Sequence, residues 1–508
     1  MQKQKLAKVY SAVLTGLYCN IIEVEAYNST GQARTVIVGL ADKSTQEAKD
    51  RIPSAIRSSG GKFNAMRIIL NLAPAELTKS GAGFDLPMAV AYMKATNQLN
   101  FDSEGKIFLG ELALDGRVRP IRGILPIIAQ IKNLGFSEAF IPYDNILEAS
   151  TVKDINLYGV KHLKEIIKYF EEGYEFSIPN RTEKTTRKNF LENDLKYVKG
   201  QEHAKRALEI AAAGGHNILL SGVPGSGKTM LSKCIPSILP EMDLNEKLEV
   251  TQIYSIAGLT SKDVPLIEKR PFRKPHHTSS QVALVGGGTN PKPGEISLAH
   301  RGVLFLDEFP EFSSKALEAL RQPLEDKVVT ISRASGSLSF PANFILVAAM
   351  NPCKCGFRGD PNKKCTCTQR EVQLYQKKIS GPILDRIDLL VHVNKVEHQK
   401  LIENSQNQES SSQVRKRVET ARKIQKERFI NQNLYTNSDM GQKQLEKFIN
   451  LPDSSKSLLK LAVDRLNLSA RSYTRILKVA RTIADLEGSF DVLDDHISEA
   501  LSFRVDLQ

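Results

Sequence analysis

The chain has 508 residues, of which 41% are hydrophobic and 25% charged, an ordinary composition for a globular protein of about three domains. No apolar run reaches the roughly 18 residues that a membrane-spanning helix needs, and no cleavage site follows the apolar stretch at residues 11–19, so we expect a cytoplasmic protein with no membrane partner. The formal net charge of +13 favours a polyanionic partner, whereas the absence of tryptophan and an aromatic content of 6% argue against a long base-stacking platform.

Residues 1–175 alternate strand and helix patterns. The stretches IIEVEAYN, RTVIVG, MRIILNLA, KIFLGELAL and EAFIP predict strands, and KSTQEAKDRIPSAIRSS and DLPMAVAYMKATNQ predict helices. Residues 176–193 are polar and basic without an apolar period, which predicts a linker. The first part of the chain is therefore predicted to be an α/β domain that a linker joins to the rest.

Two further regions complete the chain. Residues 194–396 again mix strand and helix patterns, and a polar break, IENSQNQESSS, leads into residues 397–508, which have a helical pattern. In that last region RSYTRILKVARTIADL places its apolar residues on one helix face. We therefore expect a multidomain α/β protein with a parallel-sheet centre and a helical C-terminal domain.

The strongest motif is HNILLSGVPGSGKTMLSKC, in which an apolar strand leads into a glycine-rich loop and a helix. Its spacing is that of a phosphate loop, whose backbone N–H groups surround the phosphates of ATP at a helix N-terminus. Lys228 is expected to reach the β- and γ-phosphates, and Thr229 to ligate Mg²⁺. The predicted nucleotide-binding residues are Gly222, Val223, Pro224, Gly225, Ser226, Gly227, Lys228, Thr229 and Met230.

A second motif, GVLFLDEFPEF, ends an apolar strand with Asp307 and Glu308. Asp307 is expected to hold Mg²⁺ through water and Glu308 to activate the attacking water, which predicts ATP hydrolysis rather than ATP binding alone. The 78 positions from Thr229 to Asp307 exceed what one strand, one helix and a return require. The excess contains RPFRKPHHTSSQVALVGGG, which predicts an inserted loop that is either structural or grips a polymer, and its adjacent His276 and His277 make a poor metal pair.

Two more residues are candidates for the same chemistry. VAAMNP predicts a strand that ends at Asn351, and the carboxyl ends of parallel strands meet at one sheet edge, so we expect Asn351 beside the phosphates. Arg386 precedes an apolar strand in SGPILDRIDLLVHV. It is either a buried structural arginine paired with Asp385 or Asp388, or an arginine finger that enters a neighbouring subunit's ATP site.

Two C-terminal helices carry further candidate phosphate contacts. Arg471 lies in the first turn of a helix that Ser469 is predicted to cap. Its positive charge opposes the helix dipole there, and a phosphate partner would explain an arginine at this position. The stretch QVRKRVETARKIQKERF predicts a basic helix that either contacts a nucleic-acid backbone or forms a solvated face. The cations of this helix are Arg415, Lys416, Arg417, Arg422, Lys423, Lys426 and Arg428.

Four of the six cysteines form the pairs Cys353/Cys355 and Cys365/Cys367, directly after Asn351. Four thiolates can hold Zn²⁺ tetrahedrally, although Cys-x-Cys is tighter than the usual spacing. Alternate residues of an extended chain face the same side, so both thiols of a pair still reach one ion. A zinc staple, free thiols in a basic loop and a redox disulfide are the alternatives that the sequence leaves open.

Together, the phosphate loop, RPFRKPHH, LFLDE, NPCKCG, GPILDRID and LSARSYTRILKVARTIADL resemble the magnesium-chelatase-like AAA+ ATPases of the YifB/ComM type over nearly the whole chain. The resemblance implies Asn351 as sensor one, Arg386 as an arginine finger in trans and Arg471 as sensor two in a helical lid. It implies a helix-2 insert and a hexameric ring with ATP sites at the subunit joints. EDKVVTISRASGSLSFPA resembles the pre-sensor hairpin that lines the pore in this branch of AAA+ ATPases, with Arg333 near its tip. A plain surface hairpin is the alternative.

Residues 1–175 resemble the proteolytic domain of Lon-type proteases, which needs a nucleophilic serine and an activating lysine. Aligning LTKSGAGFDLP and GELALDGRVRPIRGILPIIAQ with that pattern places Gly83 at the serine position and Ile127 at the lysine position. Glycine carries no nucleophile and isoleucine no base. The resemblance therefore implies a domain that lacks the peptidase dyad and is structural or guides a substrate.

For the ComM type, the resemblance implies a motor that drives branch migration of DNA in natural transformation. We thus expect an ATP- and Mg²⁺-dependent ring motor, a helicase or branch-migration enzyme, acting on single-stranded or branched DNA. A chelatase-type motor that remodels a protein partner and an ATP-binding scaffold without turnover are the alternatives.

Overall fold

A computed structural model of the chain describes residues 6–29, 32–64, 66–77, 79, 81–176, 193–260, 266–288, 291–333, 336–396, 408–432, 434–466 and 468–504. Residues 177–192 of the predicted linker and residues 397–407, which include part of the predicted polar break, lie outside the described residues. The described residues form two compact units, one from residues 6–176 and 247–267 and one from residues 193–246 and 268–504. No helix in the described ranges combines the length and apolar character that crossing a bilayer requires.

The first unit is a mixed α/β structure. Its strands are β1 (Leu6–Thr15), β2 (Tyr18–Ser29), β3 (Arg34–Val38), β4 (Arg67–Ala73), β5 (Lys106–Phe108), β6 (Glu111–Leu112), β7 (Val118–Arg119), β8 (Glu138–Pro142) and β9 (Asn156–Val160). Its helices are α1 (Lys43–Gln46), α2 (Ala48–Ser58), α3 (Asp85–Ala95), α4 (Ile124–Ile131), α5 (Ile146–Ala149) and α6 (Leu163–Glu172).

Seven strands of this unit form one sheet in the order β3-β4-β2-β1-β5-β8-β9. β1, β2 and β4 pair antiparallel, whereas β5, β8 and β9 add in parallel. Burial alternates along β1 because one face of the sheet packs on the core. The predicted strands and helices are confirmed with two exceptions. KIFLGELAL splits into β5 and β6, since β6 leaves the sheet to pair with β7, and KSTQEAKDRIPSAIRSS forms two helices, α1 and α2, that Glu47 separates.

The segments aligned with the protease pattern are built into this core. Gly83 lies in the 3₁₀ turn before α3, and its carbonyl accepts a bond of 3.0 Å from Gly110 N. Ile127 is buried in α4. Asp85 is completely buried and accepts hydrogen bonds of 2.8 and 2.9 Å from Arg51, so the Asp85 carboxylate has a structural role.

The remaining strands and helices lie in the second unit, except that residues 247–257 of helix α9 (Leu244–Ala257) belong to the first unit. The strands are β10 (Ile218–Ser221), β11 (Phe272–Arg273), β12 (Gly286–Gly287), β13 (Lys292–Pro293), β14 (Val303–Leu306), β15 (Val328–Arg333), β16 (Gly336–Pro341), β17 (Ile345–Met350) and β18 (Leu389–His392). The helices are α7 (Glu202–Gly214), α8 (Lys228–Ile238), α9 (Leu244–Ala257), α10 (Gln281–Val285), α11 (Glu295–Leu298), α12 (Ser314–Glu318), α13 (Arg321–Asp326), α14 (Gln369–Gln376), α15 (Gly381–Leu384), α16 (Ser411–Arg428), α17 (Gln442–Phe448), α18 (Asp453–Leu466), α19 (Ala470–Leu486) and α20 (Asp494–Ser502). Short 3₁₀ turns lie at Ala82–Phe84, Lys132–Leu134 and Tyr143–Asn145 in the first unit and at Leu195–Tyr197, Phe309–Glu311 and Asn437–Asp439 in the second.

A five-stranded parallel sheet in the order β11-β14-β17-β10-β18 forms the centre of this unit. Every residue of β10, β14 and β17 is buried, which is why these strands are continuous apolar runs in the sequence. β15 and β16 form the expected antiparallel hairpin, with residues 334–335 of its tip outside the described range. The predicted parallel-sheet core and helical C-terminal region are confirmed.

The basic helix α16 differs from its prediction. Arg415 donates two bonds to Ser237 O, and Arg422 donates two to Ala212 O. Arg417 pairs with Glu209 and Glu409, and Arg428 with Asp485. These four guanidinium groups stabilise the packing of α16 on its own unit, and the lysines of the helix remain exposed. The exposed lysines are Lys416, Lys423 and Lys426.

Candidate nucleotide-binding site

The loop between β10 and α8 has the shape of an anion cradle. Gly225 and Gly227 have φ angles of 80° and 93°, a region that favours glycine. A β-carbon at either position would meet no atom of the described residues within 4 Å. Ser226 Oγ is buried and has no hydrogen-bond partner in the part of the chain that the structure describes. An unsatisfied buried hydroxyl beside a helix N-terminus fits a phosphate group.

Lys228 is the cation of this cradle. Its Nζ donates to the carbonyls of Gly222 and Val223 at 2.6 and 3.0 Å and to Asn351 Oδ1 at 3.3 Å. Burial lowers the pKa of Lys228 to about 8, against a smaller raising effect of Asp307. The charged form of Lys228 is therefore destabilised by burial, and phosphate oxygens would stabilise it and raise its pKa. Asn351 reaches it because β17 pairs with β10 in the parallel sheet.

Thr229 and Asp307 meet where α8 begins and β14 ends. Thr229 Oγ1 donates to Asp307 Oδ2 over 3.2 Å, so a hydroxyl and a carboxylate lie side by side. These are oxygen ligands of the kind that Mg²⁺ prefers, and the pair fits that ion. Glu308 follows with a φ of 52°, a left-handed conformation that is strained for a non-glycine residue. Such strain concentrates at functional sites.

The inserted loop supplies two contacts that the sequence analysis missed. Lys274 Nζ donates to Asp307 Oδ2 at 3.0 Å, and His277 Nδ1 lies 2.9 Å from Glu308 Oε2. Both residues follow β11, which pairs with β14, so the two strand ends lie side by side. The loop after β11 therefore contacts both carboxylates of the site.

Arg386 lies at the opposite end of β10. Asn217, directly before β10, donates from Nδ2 to Arg386 O at 3.0 Å. The guanidinium pairs with Glu325 and donates to Pro382 O at 2.7 Å. Asp388, one of the two partners that the sequence suggested, is instead bound by Arg475. The buried structural reading of Arg386 thus named the wrong carboxylates.

Arg471 lies near Arg386 rather than near the phosphate loop. Ser469 caps α19 as predicted, accepting from Ser472 N at 3.2 Å. The Arg471 side chain is 61% exposed, and Nη1 lies 4.0 Å from Asp385 Oδ2, so it is only loosely held.

Arg386 and Arg471 line one cavity of about 630 Å³. Its cations are Arg301, Lys327, Arg386, Arg471, Arg475 and Lys478. Its acids are Glu325, Asp326, Asp388 and Asp439. None of the loop residues 222–230 is among the described residues that line it. The structure therefore brings the predicted site residues together in two groups, one at each end of β10.

The four clustered cysteines converge on one point. The Sγ atoms of Cys353 and Cys355 lie 3.4 Å apart, and that of Cys365 lies 3.7 and 3.5 Å from them. All four Sγ atoms, including that of Cys367, lie within 4.8 Å of one another. Backbone N–H groups of Phe357 and Thr366 lower the pKa of Cys355 to about 5. The cluster can hold a metal ion.

This cysteine loop packs against the phosphate loop. A β-carbon at Gly356 would lie 2.8 Å from Pro224 Cγ, so only glycine fits without displacing one of the two loops. Cys353 is also only two positions from Asn351. The position of the cysteine cluster is therefore tied to the site at two points.

Comparison with known proteins assigns the family. Residues 194–401 match the family model described as magnesium chelatase, subunit ChlI. Residues 23–145 match that of subunit ChlI of Mg-chelatase, and residues 408–504 match that of the magnesium chelatase, subunit ChlI C-terminal.

Similar proteins cover the chain from end to end. Competence protein ComM of Haemophilus influenzae is 42% identical over 506 residues, which are 98% of this chain and 97% of ComM. YifB of Escherichia coli is 39% identical over 98% of this chain and 97% of its own length. DNA replication licensing factor Mcm2 of Drosophila melanogaster is 26% identical over 38% of this chain and 20% of its own length. The chain therefore belongs to the magnesium-chelatase-like AAA+ family that includes ComM and YifB.

Proposed function

We propose that this chain is a cytoplasmic ATP hydrolase that assembles into a hexameric ring and moves DNA. The observation that carries the hydrolase proposal is the convergence of five side chains at one edge of the parallel sheet. Asp307 and Glu308 follow β14, Asn351 follows the adjacent strand β17, and Lys228 and Thr229 begin α8. Side-chain hydrogen bonds join Lys228 to Asn351 and Thr229 to Asp307, and the backbone N–H of Glu308 donates to Asp307 Oδ1. No local stability requirement explains a strained acid, a buried amine and an amide at the same edge.

Each residue has a role in this proposal. Lys228 and the loop N–H groups bind the triphosphate, and Thr229 and Asp307 would hold Mg²⁺, which neutralises phosphate charge when bound. Glu308 accepts a proton from the attacking water, and Asn351 orients that water toward the γ-phosphate. Residues 222–230 thus bind the triphosphate, and Asp307, Glu308 and Asn351 promote its hydrolysis.

The separation of the two arginines from this edge supports the proposal of a ring. β10 has four residues, so its first and last Cα atoms lie about 10 Å apart at 3.3 Å per residue. Arg386 is held at one end and the phosphate loop begins at the other. Arg386 and Arg471 line the same cavity, so we assign both to the triphosphate of a neighbouring copy, as finger and sensor two in trans.

DNA as the substrate has three supports. The net charge of +13 favours a polyanion. The relatives include a competence protein, ComM, and in part a DNA replication licensing factor, Mcm2. The β15–β16 hairpin is a two-stranded sheet separate from the parallel sheet, and we assign it to the pore as the pre-sensor hairpin.

We also propose a domain scheme. Residues 1–175 form a Lon-protease-like domain without the dyad, residues 176–193 a linker, residues 194–396 the AAA+ domain with its helix-2 insert, and residues 397–508 the lid. The burial of Ile127 and the absence of a side chain at Gly83 support a structural or guiding role for the first domain.

The test of the motor is the rate of ATP hydrolysis with and without single-stranded and branched DNA, at several salt concentrations. We expect DNA to raise the rate severalfold at low salt, with the stimulation falling as salt rises, because phosphate contacts release counterions. A rate that ignores DNA but responds to a protein partner would favour a chelatase-type remodelling motor, and no hydrolysis at all would favour a scaffold.

From the cluster of Cys353, Cys355, Cys365 and Cys367 we predict a bound zinc ion. A tetrahedral site with Zn–S bonds of about 2.3 Å separates its sulfurs by about 3.8 Å, close to the observed distances. We expect about one zinc per chain in protein purified without chelators, and its loss in a Cys353→Ser, Cys365→Ser variant. A Cys19→Ser variant, which changes a cysteine outside the cluster, is the control and should keep the metal. Metal-free wild-type protein would leave free thiols or a disulfide as the explanation.

A further inference from the structure

The side chain of Arg386 is withdrawn from solvent. It is 10% exposed, and its two terminal nitrogens bind Pro382 O and the Glu325 carboxylate. Arg386 Nε is buried and has no partner among the described residues, so the guanidinium as it is held presents little surface to a phosphate group. Arg386 therefore reaches a phosphate group by leaving Glu325. Hydrogen bonding to Arg386 lowers the pKa of Glu325.

The helix that carries Glu325 also carries the β15–β16 hairpin. Gln322 of α13 donates from Nε2 to Thr330 Oγ1 at 3.2 Å and accepts from Thr330 N at 3.4 Å. At the base of the hairpin, Ala342 N donates to Lys327 O at 2.8 Å, one residue past the end of α13. α13 is therefore held by Arg386 on one side and attached to the hairpin on the other.

The segment before Arg386 makes a second contact with the same region. Ser380, which precedes α15, donates from Oγ to Glu318 Oε1 at 2.7 Å. Glu318 is the last residue of α12 and is held by Arg321 of α13 at 2.9 Å. A movement of the segment that carries Arg386 is thus transmitted to α12 and α13 through two carboxylates.

We propose that Glu325 competes with a neighbouring copy's nucleoside triphosphate for the Arg386 guanidinium, and that the exchange releases α13 and the hairpin attached to it. This inference rests on the proposed function, because it takes Arg386 as the finger in trans. In one state Arg386 is neutralised by Glu325, and α13 is held. In the other, Arg386 binds phosphate oxygens, Glu325 is solvated, and the hairpin is free to shift. The exchange couples nucleotide state to the element assigned to the DNA.

The test is a Glu325→Gln variant, assayed as the full-length assembled chain for ATP hydrolysis. Glutamine keeps the shape of the side chain and removes the charge that holds Arg386. We expect the rate without DNA to rise by about twofold to fivefold, the size of effect that losing one partly exposed ion pair produces. DNA should then stimulate the variant less than the wild type, because the hairpin is already released.

Glu311→Gln is the matched control, since it makes the same substitution at an exposed glutamate that pairs with a cation, Lys378, at 3.0 Å, and Glu311 is not among the described residues that line the cavity. It should leave the rate unchanged. A Glu325→Gln rate equal to that of the control overturns the proposal, as does a lower rate, which would show that Glu325 merely positions Arg386. Arg386→Ala separates the two hypotheses. Wild-type hydrolysis in that variant would overturn the finger itself, whereas an inactive Arg386→Ala with an unaffected Glu325→Gln would overturn only the competition. Glu325 is exposed, so we expect an unchanged melting temperature.

Discussion

A Glu308→Gln variant is expected to bind ATP as tightly as the wild type and to hydrolyse it at least about a hundredfold more slowly. The amide accepts no proton from water, whereas the groups that grip the triphosphate lie in residues 222–230 and at Asp307. Nucleotide affinity measured by calorimetry and phosphate release measured on the same preparation separate the two effects.

Glu311→Gln is the control for this experiment. Glu311 lies three positions after Glu308, is exposed, and pairs with Lys378 at 3.0 Å. The Glu311→Gln substitution therefore makes the same chemical change away from the phosphate loop. It should hydrolyse ATP normally. Retained turnover in Glu308→Gln would mean that another group activates the water, and lost binding would mean that Glu308 grips the nucleotide.

Much of the fold was predictable because its signals are local. A run of apolar residues that ends in a polar side chain marks a buried parallel strand and its carboxyl end, and Asn351 and Asp307 lie directly after β17 and β14 as expected. The cap of α19 at Ser469 was equally visible, since one hydroxyl and the following helical period define it. Proximity of the strand ends then follows from parallel pairing.

The missed parts depend on contacts between residues far apart in sequence. β11 has only two residues, too few for a periodic signal, so nothing placed Lys274 and His277 beside Asp307 and Glu308. Likewise, a basic helix looks the same in sequence whether its arginines face solvent or carbonyl groups. Arg422, for example, binds Ala212 O, 210 positions earlier.

The partner of Arg386 was unpredictable for the same reason. Asp385 and Asp388 are its neighbours in sequence, but adjacent residues in a turn often point apart. The actual partner, Glu325, lies 61 positions away, at a point that only the packing of α13 determines. The structure therefore shows that Arg386 is paired with Glu325, and the open question is which ligand displaces that carboxylate.

Removing the guanidinium in an Arg386→Ala variant is expected to reduce ATP hydrolysis by about a thousandfold or more while leaving ATP binding intact, the effect of losing an arginine finger. The loss alone does not show that the arginine acts on another chain, because a misfolded site would give the same result. Mixing two inactive variants makes that distinction. Two defects in one chain's own site cannot be rescued by a neighbour, whereas a defect in a residue that a neighbour supplies can be.

An equal mixture of Arg386→Ala with Glu308→Gln chains should regain activity. Random assembly pairs an intact Glu308 with a neighbour's intact Arg386 at roughly a quarter of the joints of a symmetric ring. A mixture of Lys228→Ala with Glu308→Gln should stay inactive, because those two residues belong to one chain's site and every joint then lacks one of them. Hydrolysis is measured after the subunits have been allowed to exchange. Recovery in the first mixture but not in the second requires that Arg386 work across a joint between chains. If neither mixture recovers while exchange is demonstrated, the arginine serves its own chain, and the separation across β10 must close by a movement within one subunit.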